Sequence, residues 1–238
     1  DVIVNATVDT TGGDQLLSAT RDLQVNAALT STTGSIGLLA GRDLNQTANV
    51  TAGSDVLIDV ARNYTQSNGT SITAGETIQL TSGGSQRIGL LSASHIALDA
   101  GGDILDNNGA NTLNLLASSL RMVSNGIIGG ADLANAADSN ANALDMEVGT
   151  LAAQSARGIY LQELASGGDL TIGHVEGSAA VAVSQVRFNS TTTAVTAGDN
   201  DLQPLDDLET TTGPIKVVVR GGNMIVNDAT DADAIRVR

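Results

Sequence analysis

The sequence contains no cysteine and no tryptophan, and it holds only two tyrosines, one phenylalanine and two prolines among 238 residues. The missing cysteines exclude a disulfide scaffold, and an aromatic content of 1% excludes a core built around large aromatic side chains. Few prolines are expected where nearly every backbone N–H group donates a hydrogen bond. Apolar residues still make up 41%, mostly alanine, valine, leucine and isoleucine, so the chain can bury a core and fold.

Positive charge is also scarce. Lys216 is the only lysine, and eleven lysines and arginines stand against 26 aspartates and glutamates, for a formal net charge of −15. Nucleic-acid binding needs several cationic contacts to phosphate, so we predict no nucleic-acid partner. No apolar run reaches the roughly 18 residues of a membrane span and no targeting signal opens the chain, so we expect a soluble segment without membrane insertion. Acidity, the lack of cysteine and a bias towards small polar residues favour an extracellular or bacterial cell-surface location.

A repeat of about twenty residues recurs along the first half of the chain. Its copies share one frame, with a weaker copy, ETIQLTSGG, at 76–84: GDQLLSATRDL (13–23), GSIGLLAGRDL (34–44), SDVLIDVARNY (54–64) and SHIALDAGGDI (94–104). One aligned position holds Leu17, Leu38, Ile58 and Leu98, and another holds Leu23, Leu44, Tyr64 and Ile104. A period of this length is typical of solenoids.

Within each repeat, apolar residues alternate with other residues, as in Ile36-x-Leu38-x-Ala40, and this period of two indicates strands. Glycine, asparagine or aspartate ends each short run and allows tight turns. A twenty-residue unit is too small to bury its own apolar face, so copies must stack on one another. We therefore predict an all-β parallel β-helix, or β-solenoid; an immunoglobulin-like sandwich, the alternative, would show aromatic anchors and no such repeat.

Two stretches interrupt the pattern, and we predict that 129–143 and 198–214 are irregular loop insertions. Strand-like runs begin at Val2 and end at Val237 without an amphipathic cap. Because open solenoid ends normally need protection, we expect 1–238 to be one continuous solenoid segment of a longer array.

The xIxLxAGxDL unit, with copies at 34–44, 94–104 and 165–175, resembles the repeats of filamentous-haemagglutinin-like exoproteins and related giant bacterial adhesins. The stretch 144–173 is similar to a further repeat type of very large bacterial exoproteins. The resemblance implies a right-handed parallel β-helix, secretion through the envelope and an elongated shaft whose adhesive tips lie elsewhere. The family's secretion domain, with its Asn-Pro motifs, has no match here, because Pro204 and Pro214 follow Gln203 and Gly213.

Charged pairs recur at the repeat period and should stack at one corner of the solenoid: Arg21-Asp22, Arg42-Asp43 and Arg62-Asn63, with Asp103 and Asp169 continuing the series without arginine. This ridge could bind glycans. We favour a structural role, in which Asp and Asn cap the turns and Arg offsets the repulsion between stacked carboxylates.

Other candidate sites have weaker support. Carbohydrate-active β-helices use clustered carboxylates with a basic residue, but Asp55, Asp59 and Asp99 are far in sequence from Lys216. His95 and His174 lack a second ligand at metal spacing, so we predict turn or surface positions. Two acidic stretches could bind calcium but lack its known motifs, and we favour solvated loops: Asp199, Asp201, Asp206, Asp207 and Glu209, and then Asp228, Asp231 and Asp233.

The sequence therefore predicts a shaft or spacer segment of a large bacterial surface or secreted adhesin, with no catalytic, cofactor-binding or metal-ligating residues. Its partners would be host or neighbouring-cell surface glycans, or further copies in a filament. Two alternatives remain: a carbohydrate-active β-helix such as a polysaccharide lyase or depolymerase, and a filament-forming extracellular matrix protein.

Overall fold

The computed structural model describes residues 1–130, 142–178, 181–186, 191–195, 202–227 and 234–237. These residues form nine stacked coils of parallel strands with three faces, and they contain no helix. The predicted parallel β-helix is confirmed.

Face 1 opens each coil with a short strand; coil 7 begins at Ile128, which bridges Ile104 and Ile159. Its strands are β1 (Val2–Val4), β4 (Leu23–Val25), β7 (Leu44–Gln46), β10 (Tyr64–Gln66), β13 (Gln86–Ile88), β15 (Ile104–Asp106), β18 (Ile159–Glu163) and β23 (Ile215–Val219).

Face 2 follows face 1 in each of the first seven coils. Its strands are β2 (Val8–Thr10), β5 (Leu29–Ser31), β8 (Val50–Ala52), β11 (Ser71–Ala74) and the first halves of β14 (Leu90–Ala100), β16 (Leu115–Ser124) and β17 (Leu144–Ser155).

Face 3 completes each coil. Its strands are β3 (Gln15–Ala19), β6 (Ile36–Ala40), β9 (Val56–Val60), β12 (Thr77–Ser82), the second halves of β14, β16 and β17, then β19 (Leu170–Ile172), β22 (Leu208–Thr210), β24 (Met224–Val226) and β25 (Ile235–Val237). The remaining two strands, β20 (Val183–Val186) and β21 (Thr192–Val195), form an antiparallel hairpin outside the solenoid.

The strand register confirms the predicted repeat frame. Leu38 pairs with Leu17 on one side and with Ile58 on the other. Leu44 likewise pairs with both Leu23 and Tyr64. One sequence period is therefore one coil, and each inward residue lies over its equivalent in the next coil.

The interior is a continuous column of inward side chains from all three faces. Leu38, Ile58 and Leu98 are fully buried in it. Tyr64 is also fully buried, and its hydroxyl donates to the Gln46 Oε1 atom over 2.6 Å. Gln46 in turn donates from Nε2 to the carbonyl oxygens of Ala48 (2.9 Å) and Ser71 (3.2 Å), so it satisfies backbone acceptors at the corner between faces 1 and 2.

Part of the predicted loop 198–214 differs from the structure. Residues 198–201 lie outside the described residues, but Leu208–Thr210 is strand β22, paired with β17 and β25. Leu208 is fully buried, between the buried Asp207 and the half-buried Glu209, because an inward position survives within the acidic stretch. The acidic residues around Leu208 made this alternation hard to recognise in the sequence.

Of the predicted insertion 129–143, residues 131–141 lie outside the described residues, while Ile128 and Leu144 on either side pair with coil 8.

Residues 174–178, 181–186, 191–195 and 202–206, which come between β19 and β22 in sequence, lie outside the solenoid, and we call these described residues the arm. The Asp207 N–H donates to the Gly173 carbonyl over 3.2 Å, and Val175 and Leu205 exchange backbone hydrogen bonds of 2.9 and 3.0 Å. The arm is therefore a narrow antiparallel excursion that returns to the sheet where it left it. The repeat pattern of the sequence did not predict it.

Leu38→Asp should unfold several coils together, because it places an unpaired carboxylate in the column between Leu17 and Ile58. An uncompensated buried charge costs about 3–5 kcal/mol, and the neighbouring coils lose their packing with it. Thermal or denaturant unfolding measures the loss. Asn45→Asp, at an exposed position of β7, is the control and should stay near wild type; equal stability of both variants would show that Leu38 does not point inward.

Candidate functional site

The corner between faces 3 and 1 carries the predicted charged ridge. The Arg42 guanidinium binds both carboxylate oxygens of Asp22 from the preceding coil, with 2.8 Å between Nε and Oδ1. This hydrogen bonding lowers the pKa of Asp22 to about 2. Ion pairs with the preceding coil recur: Arg21 with Asp1 (3.4 Å) and Arg62 with Asp43 (3.5 Å).

Asp103 keeps the predicted turn-capping role, since it accepts the Ile127 N–H over 2.9 Å, and it also binds an arginine that is not its neighbour in sequence. Arg157, from the corner after coil 7, donates from an Nη atom to Asp103 Oδ1 over 2.8 Å. Sequence spacing did not reveal the pair because coil 7 contains the insertion that lengthens it.

The aspartates of this ridge also accept backbone hydrogen bonds from the next coil. Each carboxylate, amide or hydroxyl oxygen receives the N–H of the equivalent residue one coil on: Asp1 from Asp22 (3.3 Å), Asp22 from Asp43 (3.4 Å), Asp43 from Asn63 (3.1 Å), Asn63 from Ser85 (3.0 Å), Ser85 from Asp103 (3.1 Å) and Asp103 from Ile127 (2.9 Å). The ridge thus extends the hydrogen-bond ladder through a turn. Its carboxylates and guanidinium groups are engaged with one another, which favours the structural interpretation over glycan binding.

The three carboxylates considered for catalysis do not meet in a cleft. Asp55 accepts the Thr77 N–H over 3.1 Å at the start of face 3. Asp59 lies at the other end of its strand and accepts from the Thr81 hydroxyl over 3.0 Å. Thr81 pairs with Asp59 in the preceding coil and with Asp99 in the following coil. The two aspartates are therefore two coil spacings, or about 10 Å, apart. Lys216 lies on face 1 of coil 9, paired with Tyr160.

The two histidines lie in different surroundings. His95 is a half-buried residue within β14, and its Nδ1 lies 2.8 Å from the Ser119 hydroxyl. Burial, assisted by Arg121, lowers the pKa of His95. His174 stands at the base of the arm with Nδ1 2.6 Å from Asp206, and that hydrogen bond raises the pKa of His174.

The acidic residues considered for calcium are separated where the structure describes them. Asp206 pairs with His174, while Glu209 lies on β22 with its carboxylate 3.8 Å from Arg236. Asp199, Asp201, Asp228, Asp231 and Asp233 lie outside the described residues. Among the residues that the structure does describe, no group of three or more potential ligands could hold a metal ion.

A shallow groove of about 640 Å³ crosses coils 4 to 8 at the corner between faces 2 and 3. The strands β14, β16 and β17 pass this corner without a turn, so the surface there is recessed. The groove is lined mostly by small residues: Ala74, Gly75, Ser92, Ala93, Ser94, Leu116, Ala117, Ser118, Glu147, Val148, Gly149, Ser166 and Gly167. Glu147 is its one charged lining residue, and the Ser166 hydroxyl donates to it.

Glu163 lies beneath this groove and is the residue that sequence reasoning missed. Its side chain is fully buried, and Oε1 and Oε2 accept the Val148 N–H over 3.0 and 3.3 Å. Burial raises the pKa of Glu163 to about 7, and the neighbouring Glu147 adds to the shift. Coil 8 has no face 2 strand whose backbone carbonyl could accept the Val148 N–H, and the Glu163 carboxyl group accepts it instead. The sequence did contain a signal for a buried acid: in the alternating run Ile159-x-Leu161-x-Glu163, the pattern places Glu163 at an inward position.

Comparison with known proteins finds no matching family model, no matching curated protein and no matching solved structure. No helix long and apolar enough to cross a membrane occurs in the described parts of the chain.

Glu163→Gln should flatten the pH dependence of stability. The unfolded carboxyl titrates near 4.5 and the folded one near 7, so the folded state retains a proton that the unfolded state releases. The free energy of unfolding of the wild type should therefore fall as the pH rises from 4.5 to 7, and the neutral amide removes that term. Denaturant unfolding at several pH values measures it.

The exposed substitution Glu76→Gln is the matched control and should retain the wild-type slope. Some slope should survive in Glu163→Gln, since burial also raises the pKa of Asp145, to about 6. An unchanged slope in Glu163→Gln would mean that Glu163 is ionised in the folded protein.

Proposed function

We propose that this chain is a shaft segment of a large bacterial surface or secreted protein of the filamentous-haemagglutinin-like kind. It holds binding regions, located elsewhere, at a distance from the cell. The observation that supports this most is the inter-coil ladder, which joins all nine coils on faces 1 and 3 and is continued through the corner by Asp22, Asp43 and Asn63. A rod of this kind resists bending because any bend must stretch hydrogen bonds along one face.

The surface charge fits the same role. Arg21, Arg42 and Arg62 each pair with an aspartate of the preceding coil, so these stacked charges do not repel along the rod. The formal net charge of −15 keeps neighbouring rods apart in solution. Contacts with host or neighbouring-cell glycans belong, in this proposal, to other regions of the protein.

Deleting residues 1–238 from the full-length protein should shorten the particle by about 40 Å, nine spacings of roughly 4.8 Å, and leave adhesion intact. Electron microscopy of the particle measures length, and a cell-binding assay measures adhesion. Loss of adhesion from a particle that still displays its remaining regions would assign the binding to this segment and overturn the spacer role.

A carbohydrate-active β-helix is the second candidate, and the groove beside Glu147 is the observation that favours it. A buried carboxyl group of raised pKa, Glu163, below a surface carboxylate is a pairing that acid–base chemistry on sugars uses. However, Glu163 is fully buried and does not line the groove.

Incubation with a panel of neutral and acidic polysaccharides, followed by a reducing-end assay, separates the two candidates. The spacer should release nothing from any of them. Release that Glu147→Gln abolishes and Glu76→Gln preserves would establish the enzyme instead.

A further inference from the structure

The outward surface of face 3 carries an apolar strip that a solvent-facing sheet would not have. Leu57 is flanked in its strand by the inward residues Val56 and Ile58, so its side chain points outward, yet it is fully buried. Ala97 and Ala152, at equivalent outward positions of coils 5 and 7, are fully buried as well. Something must cover this strip from outside.

The arm provides the cover. Val181 and Val183 pack on Leu57, with Leu16 and Leu39 at the edge of the same cluster. Because these three leucines belong to coils 3, 1 and 2, an element that starts in coil 8 reaches the opposite end of the described solenoid. Seven coil spacings of about 4.8 Å give a reach of roughly 34 Å.

Polar contacts fix the arm along this path. Gln79 Oε1, in coil 4, accepts from the Ser178 hydroxyl over 3.2 Å and from the Val181 N–H over 3.3 Å. In coil 1, Asp14 Oδ2 accepts the Ser184 N–H over 2.7 Å. The arm is thus hydrogen-bonded at intermediate points along its outward course.

The returning part of the arm is held as well. Arg121, in coil 6, donates from Nε to the Gln203 carbonyl over 2.7 Å. Its side chain is 7% exposed, so the guanidinium is covered at the point where it meets the arm.

We propose that the arm is an intramolecular clamp, which joins coil 8 to coils 1–4 and makes the coils between them open as one unit. In a simple solenoid each coil interacts only with its neighbours, so unfolding can begin at an end and proceed coil by coil. The clamp adds contacts between coils that are not neighbours, and an end coil can then open only if the arm detaches. The proposal goes beyond the shaft function and holds whether or not the chain is a shaft.

A disulfide tests the docked position of the arm, and the chain has no cysteine to interfere. A Cβ atom built on Gly37 would lie 3.4 Å from the Val183 Cβ and 2.8 Å from the flexible end of Leu16. Disulfides need Cβ atoms about 3.5–4.5 Å apart, so Gly37→Cys with Val183→Cys should oxidise after a small shift of Leu16.

The expected product is a monomer without free thiols, visible by thiol counting and non-reducing electrophoresis. Gly37→Cys with Ala182→Cys is the control, because Ala182 is exposed on the same part of the arm; it should form at least tenfold less disulfide. Disulfide-linked dimers alone would mean that arms exchange between copies, and no disulfide would mean that the arm is not docked. Either result overturns the clamp.

Hydrogen exchange tests the coupling itself. Val183→Asp should release the arm and increase amide exchange at least tenfold both in β3, β6 and β9 beneath it and in β19 and β22 at its base. Ala182→Asp adds the same charge at an exposed position and should leave all five strands unchanged. Faster exchange confined to β3, β6 and β9 would show that the arm is only a cover, and so would overturn the coupling.

If Val183→Asp does not fold, the oxidised disulfide protein gives the converse measurement. Its exchange in β19 and β22 should be slower than that of the reduced form, and equal rates would overturn the coupling.

Discussion

Hydrogen bonding between successive coils is the interaction on which this structure depends. Every strand of a coil must find its partners in the coils before and after it, so the chain has to return to the same register about every twenty residues. Leu44, held between Leu23 and Tyr64, shows the result on face 1. A register slip of one residue would turn the inward residues outward in a whole strand. The period of the sequence repeat is therefore the spacing, in residues, between hydrogen-bonded partners in successive coils.

The same constraint explains the polar residues at the corners. Backbone N–H groups in a turn lose their strand partners, and an unpaired buried donor costs about 1–3 kcal/mol. Aspartate, asparagine and serine side chains accept these donors from the next coil, as Asp43 does from Asn63. Where coil 8 offers no face 2 strand, the buried Glu163 accepts the Val148 N–H instead. A carboxyl group of raised pKa is thus a consequence of the ladder and does not require a catalytic explanation.

Much of the solenoid could be predicted from sequence because its determinants are local. Alternation around Leu38 gave the strands, and the recurrence of Leu23 and Leu44 gave the register. The arm could not be predicted in this way, since its contacts join residues as distant as Gln79 and Val181. One signal was nevertheless present: Val56-Leu57-Ile58 is apolar on both sides of its strand, which indicates a sheet covered on both faces. The partner of Asp103 was missed for a similar reason, because an insertion in coil 7 separates it from Arg157.

The most direct test of this account is cryo-electron microscopy of the full-length particle or filament at a resolution that shows the coil path. The account predicts coils about 4.8 Å apart, with Leu44 stacked between Leu23 and Tyr64 and the arm lying along face 3. A separate globular body at the position of these residues, or coils stacked in another register, would contradict it.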